Sequence, residues 1–200
     1  MIYPSALEEL ISYLKKLPSV GEKSAERYAL SILNFSKEEN DNFAKSIQNI
    51  KKKLQPCCVC GSLTDEETCR ICASSYRNEN IICVVEDYKS VFMFEKIGKY
   101  NGVYHVLGGL ISPIDGVNPD DINISSLVSR CKKNSNDTEI ILALKPTLEG
   151  EATTMYITKI FAGHPLKISR LSYGIPMGAE IDYLDAPTLE RALNDRKDLL

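Results

Sequence analysis

Apolar side chains in the N-terminal quarter of the chain recur at intervals of three and four residues, which places them on one face of an α-helix. The pattern predicts a first helix that begins after Pro4 and ends near Leu17, and a second helix over residues 22–33. A third helix is expected to begin at Ser36, because Glu39 three residues later completes a capping box. This part of the chain is therefore predicted to be helical.

The apolar pattern changes after residue 80. A continuous apolar run begins at Ile81 and ends in Glu86, as a buried strand of a parallel sheet does. Further strands are predicted at 103–107, 138–144 and 166–172, with helices through Val91 to Ile97, around 124–131 and over 151–162. Strands that alternate with helices predict an α/β domain with a mainly parallel sheet, whose functional residues are expected at the carboxyl ends of its strands.

Four cysteines between these two parts have the spacing of a metal site. Cys57 and Cys60 form one C-x2-C pair, and Cys69 and Cys72 form a second. Two such pairs can surround one ion tetrahedrally, which predicts one structural Zn²⁺ per chain. The alternative is a set of buried or redox-active cysteines. Cys58 breaks the spacing and is expected to stay outside the site, although it could compete with Cys57 for the metal.

Composition and charge indicate where the protein is located in the cell and show that charge is unevenly distributed along the chain. The net charge is -3, yet residues 1–56 hold nine Lys/Arg against seven Asp/Glu, whereas the remainder holds fifteen against twenty. A polyanion is therefore expected to meet the first part more readily than the second. No apolar run approaches the length of a membrane span, and residues 1–9 do not resemble a signal peptide. A cytoplasmic protein, without a membrane partner, is expected, and Cys83 and Cys131 are interpreted as core thiols.

The segment between the first two helices resembles the helix-hairpin-helix DNA-binding motif, whose hairpin is a proline, two variable positions and a glycine. Here it is Pro18 to Gly21. Free backbone N–H groups at the start of the second helix, near Gly21, can hold a phosphate. Lys23 and Arg27 lie four residues apart, so they share a helix face and can add phosphate contacts that do not depend on base sequence. The alternative is a helical hairpin that packs in a dimer interface, with both basic side chains solvated.

Glu86 and the stretch at 142–151 resemble the two signatures of a Toprim domain. In catalytic Toprim enzymes an Asp-x-Asp pair in the second signature binds Mg²⁺ together with the glutamate of the first strand. Lys145 and Thr147 stand at the two aspartate positions of this chain. A hard divalent ion needs several oxygen anions, so this loss argues against metal catalysis. Glu149 is also explained as a residue that complements the dipole at a helix N-terminus.

Over essentially all of the 200 residues, the order of these features is similar to that of the RecR family of bacterial recombination mediators. The C-terminal stretch from Arg170 through Gly174 to Leu189 adds to the resemblance. The chain departs from the family at Ser19, where glycine is common, and at Lys145, where asparagine is common. The resemblance implies a non-enzymatic protein in DNA repair and recombination that forms dimers and tetrameric rings able to encircle DNA. It also implies work with RecO and RecF to load RecA onto single-stranded DNA coated by SSB, in the cytoplasm and at the nucleoid.

The resemblance also assigns roles to residues of this chain. The implied DNA-binding residues are Gly21, Lys23 and Arg27. The implied zinc ligands are Cys57, Cys60, Cys69 and Cys72. The implied contacts with RecO are Glu86 and Glu149.

The expected fold class is α+β and multi-domain. It consists of an N-terminal helix-hairpin-helix domain (1–55), a four-cysteine zinc knuckle (56–73), an α/β Toprim domain (79–174) with a mainly parallel sheet, and a C-terminal strand/helix tail (175–200) for oligomerisation. Two other functions compete with this interpretation. One is a Mg²⁺-dependent Toprim nuclease or primase-like enzyme, and the other is a zinc-ribbon interaction module without affinity for DNA.

Overall fold

The computed structural model describes residues 3–133, 137–172 and 174–197. The chain divides into two compact units, Met1–Leu54 and Gln55–Leu200. No helix in the described ranges is both long and apolar enough to cross a membrane.

The first unit contains the three predicted helices, α1 (Ser5–Leu14), α2 (Glu22–Ile32) and α3 (Lys37–Lys53). Helix α1 ends earlier than the expected Leu17. The backbone N–H groups of residues 16 and 17 bond to carbonyls three residues back, so the last turn tightens ahead of Pro18.

Small side chains let α1 and α2 pack closely. Ala25 and Ala29 of α2 are fully buried against Ile11 of α1. Partly buried apolar side chains surround this core: Tyr3, Leu7, Leu10, Leu14 and Val20.

Helix α3 has the predicted capping box. The Ser36 hydroxyl accepts from the Glu39 N–H at 3.2 Å, and the Glu39 carboxylate accepts from the Ser36 N–H at 2.7 Å. The hydrogen bond from the Ser36 backbone lowers the pKa of Glu39. No side chain of α3 is buried.

The second unit contains a short antiparallel pair, β1 (Gln55–Pro56) and β2 (Leu63–Thr64), and a four-stranded sheet. The strands of this sheet are β3 (Asn78–Val85), β4 (Gly102–Val106), β5 (Glu139–Ala143) and β6 (Lys167–Arg170). Their order is β4-β3-β5-β6, and every pair is parallel, which confirms the predicted topology. The helices are α4 (Tyr88–Ile97), α5 (Ile124–Lys133), α6 (Leu148–Ile160) and α7 (Ala186–Asn194), with 3₁₀ turns at Pro119–Asp121 and Ile181–Tyr183.

Strand β3 is buried on both faces, which explains its unbroken apolar sequence. On one face, Ile82 and Val84 belong to a core with side chains of β5, α5 and α6. On the other face, Cys83 and Val85 pack with Val91, Tyr104 and Val106. Glu86 is the first residue beyond the strand.

Helix α6 begins at Leu148, three residues before the predicted start at Glu151. The reason is Thr147, whose hydroxyl accepts from the Gly150 N–H at 3.3 Å and caps the helix. Gly150 is buried so close to the preceding connection that a Cβ on it would lie 1.9 Å from the carbonyl oxygen of Lys145.

His105 is fully buried in β4. Its Nε2 lies 2.8 Å from the carbonyl oxygen of Asn123, to which it donates, and its Nδ1 has no hydrogen-bond partner among the described residues. Because burial disfavours the imidazolium, the pKa of His105 is lowered to about 4.

We predict that His105 stays neutral in the folded protein well below pH 6. Between about pH 6.5 and 4 the unfolded chain binds the extra proton, so this residue makes the free energy of unfolding fall as the pH falls through that window. The chain has two histidines, so the variant His164→Gln leaves His105 as the single imidazole for an NMR titration. A midpoint near pH 6.5, in a protein whose amide spectrum stays folded, would contradict the prediction.

Candidate metal centre and nucleic-acid interface

The first cysteine pair lies in a tight turn between β1 and β2. The N–H of Cys57 donates to the carbonyl of Ser62 at 2.7 Å, and the N–H of Gly61 donates to the carbonyl of Cys57 at 2.9 Å. Gly61 has a φ of 72°, the left-handed region that favours glycine. A Cβ there would also approach the carbonyl oxygen of Val106 to 3.1 Å. Glycine therefore fits this position for two reasons.

The four sulfur atoms of Cys57, Cys60, Cys69 and Cys72 converge, all within 4.8 Å of one another. The Sγ atoms of Cys60 and Cys69 are 3.6 Å apart. With Zn–S bonds of about 2.3 Å, the edge of a tetrahedral four-sulfur site is about 3.8 Å. The donor set therefore has the chemistry and nearly the spacing of a metal site.

Backbone groups already support negative charge on these sulfurs. The N–H of Cys69 donates to Cys57 Sγ at 3.2 Å, and the N–H of Cys72 donates to Cys69 Sγ at 3.4 Å. The hydrogen bond between the Cys60 and Cys69 side chains is the largest influence on both groups. It lowers the pKa of Cys69 and raises the pKa of Cys60 to about 12. Four thiols this close cannot all ionise unless a cation neutralises them, so the cluster can bind a metal ion.

The other three cysteines lie outside this cluster. Cys58 is exposed, with its sulfur 3.4 Å from the hydroxyl oxygen of Thr68. Cys83 and Cys131 are buried in the sheet domain, where desolvation raises their pKa values to about 12 and about 11. Their burial agrees with the prediction that they are core thiols.

The hairpin between α1 and α2 turns at Ser19 rather than at Gly21. Ser19 has a φ of 64°, and the N–H of Val20 closes the turn on the carbonyl of Leu17 at 3.2 Å. Gly21 is the N-cap of α2 in an extended conformation, and a Cβ on it would meet nothing within 4 Å. Ser19 is thus the hairpin residue that adopts the left-handed backbone.

The start of α2 presents both backbone and side-chain groups for an anion. Gly21 leaves the helix without a side-chain cap. Lys23 and Arg27 are exposed, and neither has an ion pair with a described residue. Arg27 lies 5.4 Å from the ring of Tyr28. The three predicted DNA-binding residues are therefore accessible on one short element.

At the carboxyl end of the sheet, Glu86 pairs with a lysine. The Nζ of Lys145 lies 2.9 Å from Glu86 Oε1 and 2.8 Å from Oε2. Glu149 lies in the first turn of α6, where its own backbone N–H lowers its pKa. Within the described ranges the four cysteines are the only group of three or more His, Cys, Asp or Glu side chains that lies close enough together to hold a metal ion. Glu86 and Glu149 belong to no such group.

Ion pairs that the sequence did not predict join α7 to the sheet domain. Glu151 lies 3.5 Å from Arg170 and 3.8 Å from Arg191, and Arg170 also lies 3.5 Å from Asp195. These partners are separated by tens of residues, and no local pattern links them. They hold the C-terminal helix beside the start of α6.

Three family models match the chain. The model described as RecR, helix-hairpin-helix, matches residues 7–51, the Toprim domain model matches 80–172, and the model described as RecR, C-terminal, matches 174–197. Together they confirm the predicted helix-hairpin-helix and Toprim architecture.

Curated relatives match along the whole chain. A protein named Recombination protein RecR from Lactobacillus delbrueckii subsp. bulgaricus is 44% identical over 199 residues, which cover 100% of each chain. Proteins of the same name from Streptococcus mutans and Finegoldia magna are 44% and 43% identical, and the second match covers 99% of this chain and 98% of the relative. This chain therefore belongs to the RecR family of recombination proteins.

Proposed function

We propose that this protein is a non-enzymatic clamp that binds DNA without sequence preference in recombinational repair of DNA damage. In this proposal it acts with RecO and RecF to help load RecA onto single-stranded DNA coated by SSB. The observation that carries the proposal is the uncapped start of α2, with Lys23 and Arg27 exposed beside it.

This element suits a phosphate backbone better than a base edge. Free N–H groups at a helix N-terminus bind an anion in any sequence context, and two cations one turn apart match contacts to successive phosphates. Such contacts position nucleic acid without reading it. Both single- and double-stranded DNA are therefore proposed ligands.

The geometry of the carboxyl edge supports a protein without Mg²⁺ catalysis. Thr147 uses its hydroxyl to cap α6, and Lys145 brings an ammonium to Glu86. Neither supplies the oxygen anion that Mg²⁺ prefers. Glu86 and Glu149 are instead proposed as contacts for RecO.

The metal of the cysteine cluster is proposed to be structural Zn²⁺. Four thiolates exclude the hard cations and leave no open position for substrate. The knuckle is also part of the fold of the second unit. The carbonyl of Cys60 accepts from the N–H of Val106 at 2.7 Å, and Ile71 packs against both apolar cores of the sheet domain. Metal binding and folding should therefore be coupled.

An apolar stripe on α3 supports a homo-oligomer. Phe43, Ile47, Ile50 and Leu54 recur at helical spacing and are all exposed, the two isoleucines by 58% and 59%. A contiguous exposed apolar stripe of this kind favours contact with another protein surface. A second copy of this chain is the proposed partner, in a dimer that assembles to a tetramer.

The proposal also assigns a role to each segment of the chain. Residues 1–55 would bind DNA, 56–73 would bind zinc, 79–174 would form the Toprim domain and 175–200 would complete the oligomer. Exposed large apolar side chains in the last segment support its role, among them Ile181, Met177 and Tyr183. The protein would act in the bacterial cytoplasm, at the nucleoid.

The double substitution Lys23→Ala with Arg27→Ala tests DNA binding. Each lost phosphate contact should lower the slope of log affinity against log salt by about 0.7 to 0.9, equally for unrelated sequences. Fluorescence anisotropy across a salt series measures both quantities. The matched control is Lys96→Ala with Lys99→Ala, which removes the same charge from exposed positions of the second unit. Equal affinity and slope in the two double variants would support an interaction module without DNA affinity at this hairpin.

Substitution of one cluster cysteine tests the metal. Cys69→Ser should lose the single zinc ion and lower the melting temperature by at least about 10 °C, because structural zinc contributes folding free energy. Cys58→Ser removes the neighbouring exposed thiol, and this variant should keep the zinc ion and the wild-type melting temperature. Metal content by mass spectrometry and melting by circular dichroism give the readouts. Stoichiometric zinc and an unchanged melting temperature in Cys69→Ser would refute the assignment.

Charges placed on the α3 stripe test the oligomer. Ile47→Lys with Ile50→Lys should shift the solution mass toward smaller species, since each lysine would have to be buried in the interface. Gln48→Lys with Asn49→Lys adds the same charge to exposed positions elsewhere on the helix and should leave the mass unchanged. Light scattering across a concentration series measures the solution mass of the wild type and of both variants. A wild type that stays monomeric, or two variants of equal mass, would rule out this interface.

A further inference from the structure

The carboxylate of Glu86 is held in an unusual electrostatic position. Glu86 follows the buried strand β3, and its backbone carbonyl accepts from the N–H of Gly108 at 2.9 Å. Its side chain is only 21% exposed, and Oε2 is buried. A buried carboxylate oxygen is unfavourable unless a cation or hydrogen-bond donors compensate it.

The compensation comes from charge more than from directed hydrogen bonds. Lys145 Nζ donates to Oε1 at 2.9 Å and lies 2.8 Å from Oε2. Among the described residues no donor makes a properly oriented hydrogen bond to Oε2. The ammonium therefore contacts both carboxylate oxygens as a compact point charge, as a bound metal cation would.

The backbone that carries Lys145 is fixed in place. Gly150 packs directly on the Lys145 carbonyl, where a Cβ would lie 1.9 Å from the oxygen. The Thr147 hydroxyl caps α6 by accepting from the N–H of Gly150, and the Thr147 backbone carbonyl accepts from the N–H of Glu151 at 2.9 Å. The turn between β5 and α6 thus delivers the ammonium to Glu86 while its side chain stays 61% exposed.

We propose that Lys145 is the resident cation of this edge, and that it makes the folded sheet domain independent of divalent metal ions. Without its ammonium, the carboxylate of Glu86 would need another positive charge. A divalent ion at millimolar concentration, with water molecules as its remaining ligands, would supply it. The same geometry means that Lys145 occupies the space in which a divalent ion would meet Glu86. This inference goes beyond DNA binding and does not depend on it.

The variants Lys145→Ala and Lys145→Asn test this role in the full-length, zinc-loaded protein. Each should lower the melting temperature by about 2–4 °C. Millimolar Mn²⁺ should restore the melting temperature, and electron paramagnetic resonance should detect Mn²⁺ binding at least about tenfold tighter than in the wild type. Adding Glu86→Gln to either variant should abolish the response to the ion. Two substitutions at position 145 keep the test valid if one variant folds poorly.

The matched control is Lys167→Ala. Lys167 lies 3.0 Å from Glu139 in another lysine–glutamate pair of the same sheet, and Glu139 also accepts from the hydroxyl of Ser169 at 3.1 Å. Because that carboxylate keeps a donor, the control should not gain Mn²⁺ affinity.

Three results would overturn the proposal. The first is equal Mn²⁺ affinity in the Lys145 variants, the control and the wild type. The second is wild-type Mn²⁺ binding that Glu86→Gln abolishes. The third is stabilisation of the Lys145 variants by acid alone, which would mean that Glu86 takes up a proton in place of a metal ion.

Discussion

The burial of β3 on both faces is the constraint on which the second unit depends. Its side chains pack alternately into two cores, and its backbone bonds to β4 on one side and β5 on the other. A slip of one residue would move every apolar side chain to the opposite face, so the register is strongly specified. This register determines where Glu86 emerges, and the parallel pairing with β5 brings the turn that carries Lys145 to the same edge.

The cysteine knuckle is attached to the sheet domain by contacts that do not involve sulfur. The Val106 N–H at the end of β4 bonds to the Cys60 carbonyl at 2.7 Å. Beyond the last cysteine, Arg77 pairs with Glu95 of α4 at 3.0 and 2.5 Å, and Tyr104 donates to the same carboxylate at 2.7 Å. A knuckle of this size has too little apolar surface for a core of its own. These contacts therefore stabilise the knuckle where hydrophobic burial cannot, and a metal ion bound by the cysteines would add to them.

The sequence predicted the features with a local signal and missed those that depend on tertiary contacts. The apolar run before Glu86 and the capping box at Ser36 have patterns that identify them directly, and both are confirmed. The start of α6 was predicted three residues late because Thr147 was interpreted by its place in a metal signature, whereas its hydroxyl caps the helix. The ion pairs between Glu151 and the arginines of β6 and α7 have no sequence pattern, since they depend on how distant segments pack.

The net charge of -3 and the small number of cations at the hairpin favour assembly of the proposed clamp. Two phosphate contacts in one chain give a slope of log affinity against log salt concentration of about 2 in magnitude. The affinity of a single chain for DNA would then fall only about tenfold between low and physiological salt, but it would be low at every salt concentration. Four copies that engage together would bring about eight contacts, because each further contact is intramolecular once the first has formed. An oligomer of acidic subunits can then bind a polyanion, because each subunit contributes the same small basic surface. The exposed stripe on α3 and the exposed hairpin lie in the same helical unit, so this unit would supply the DNA contacts and part of the oligomer contacts.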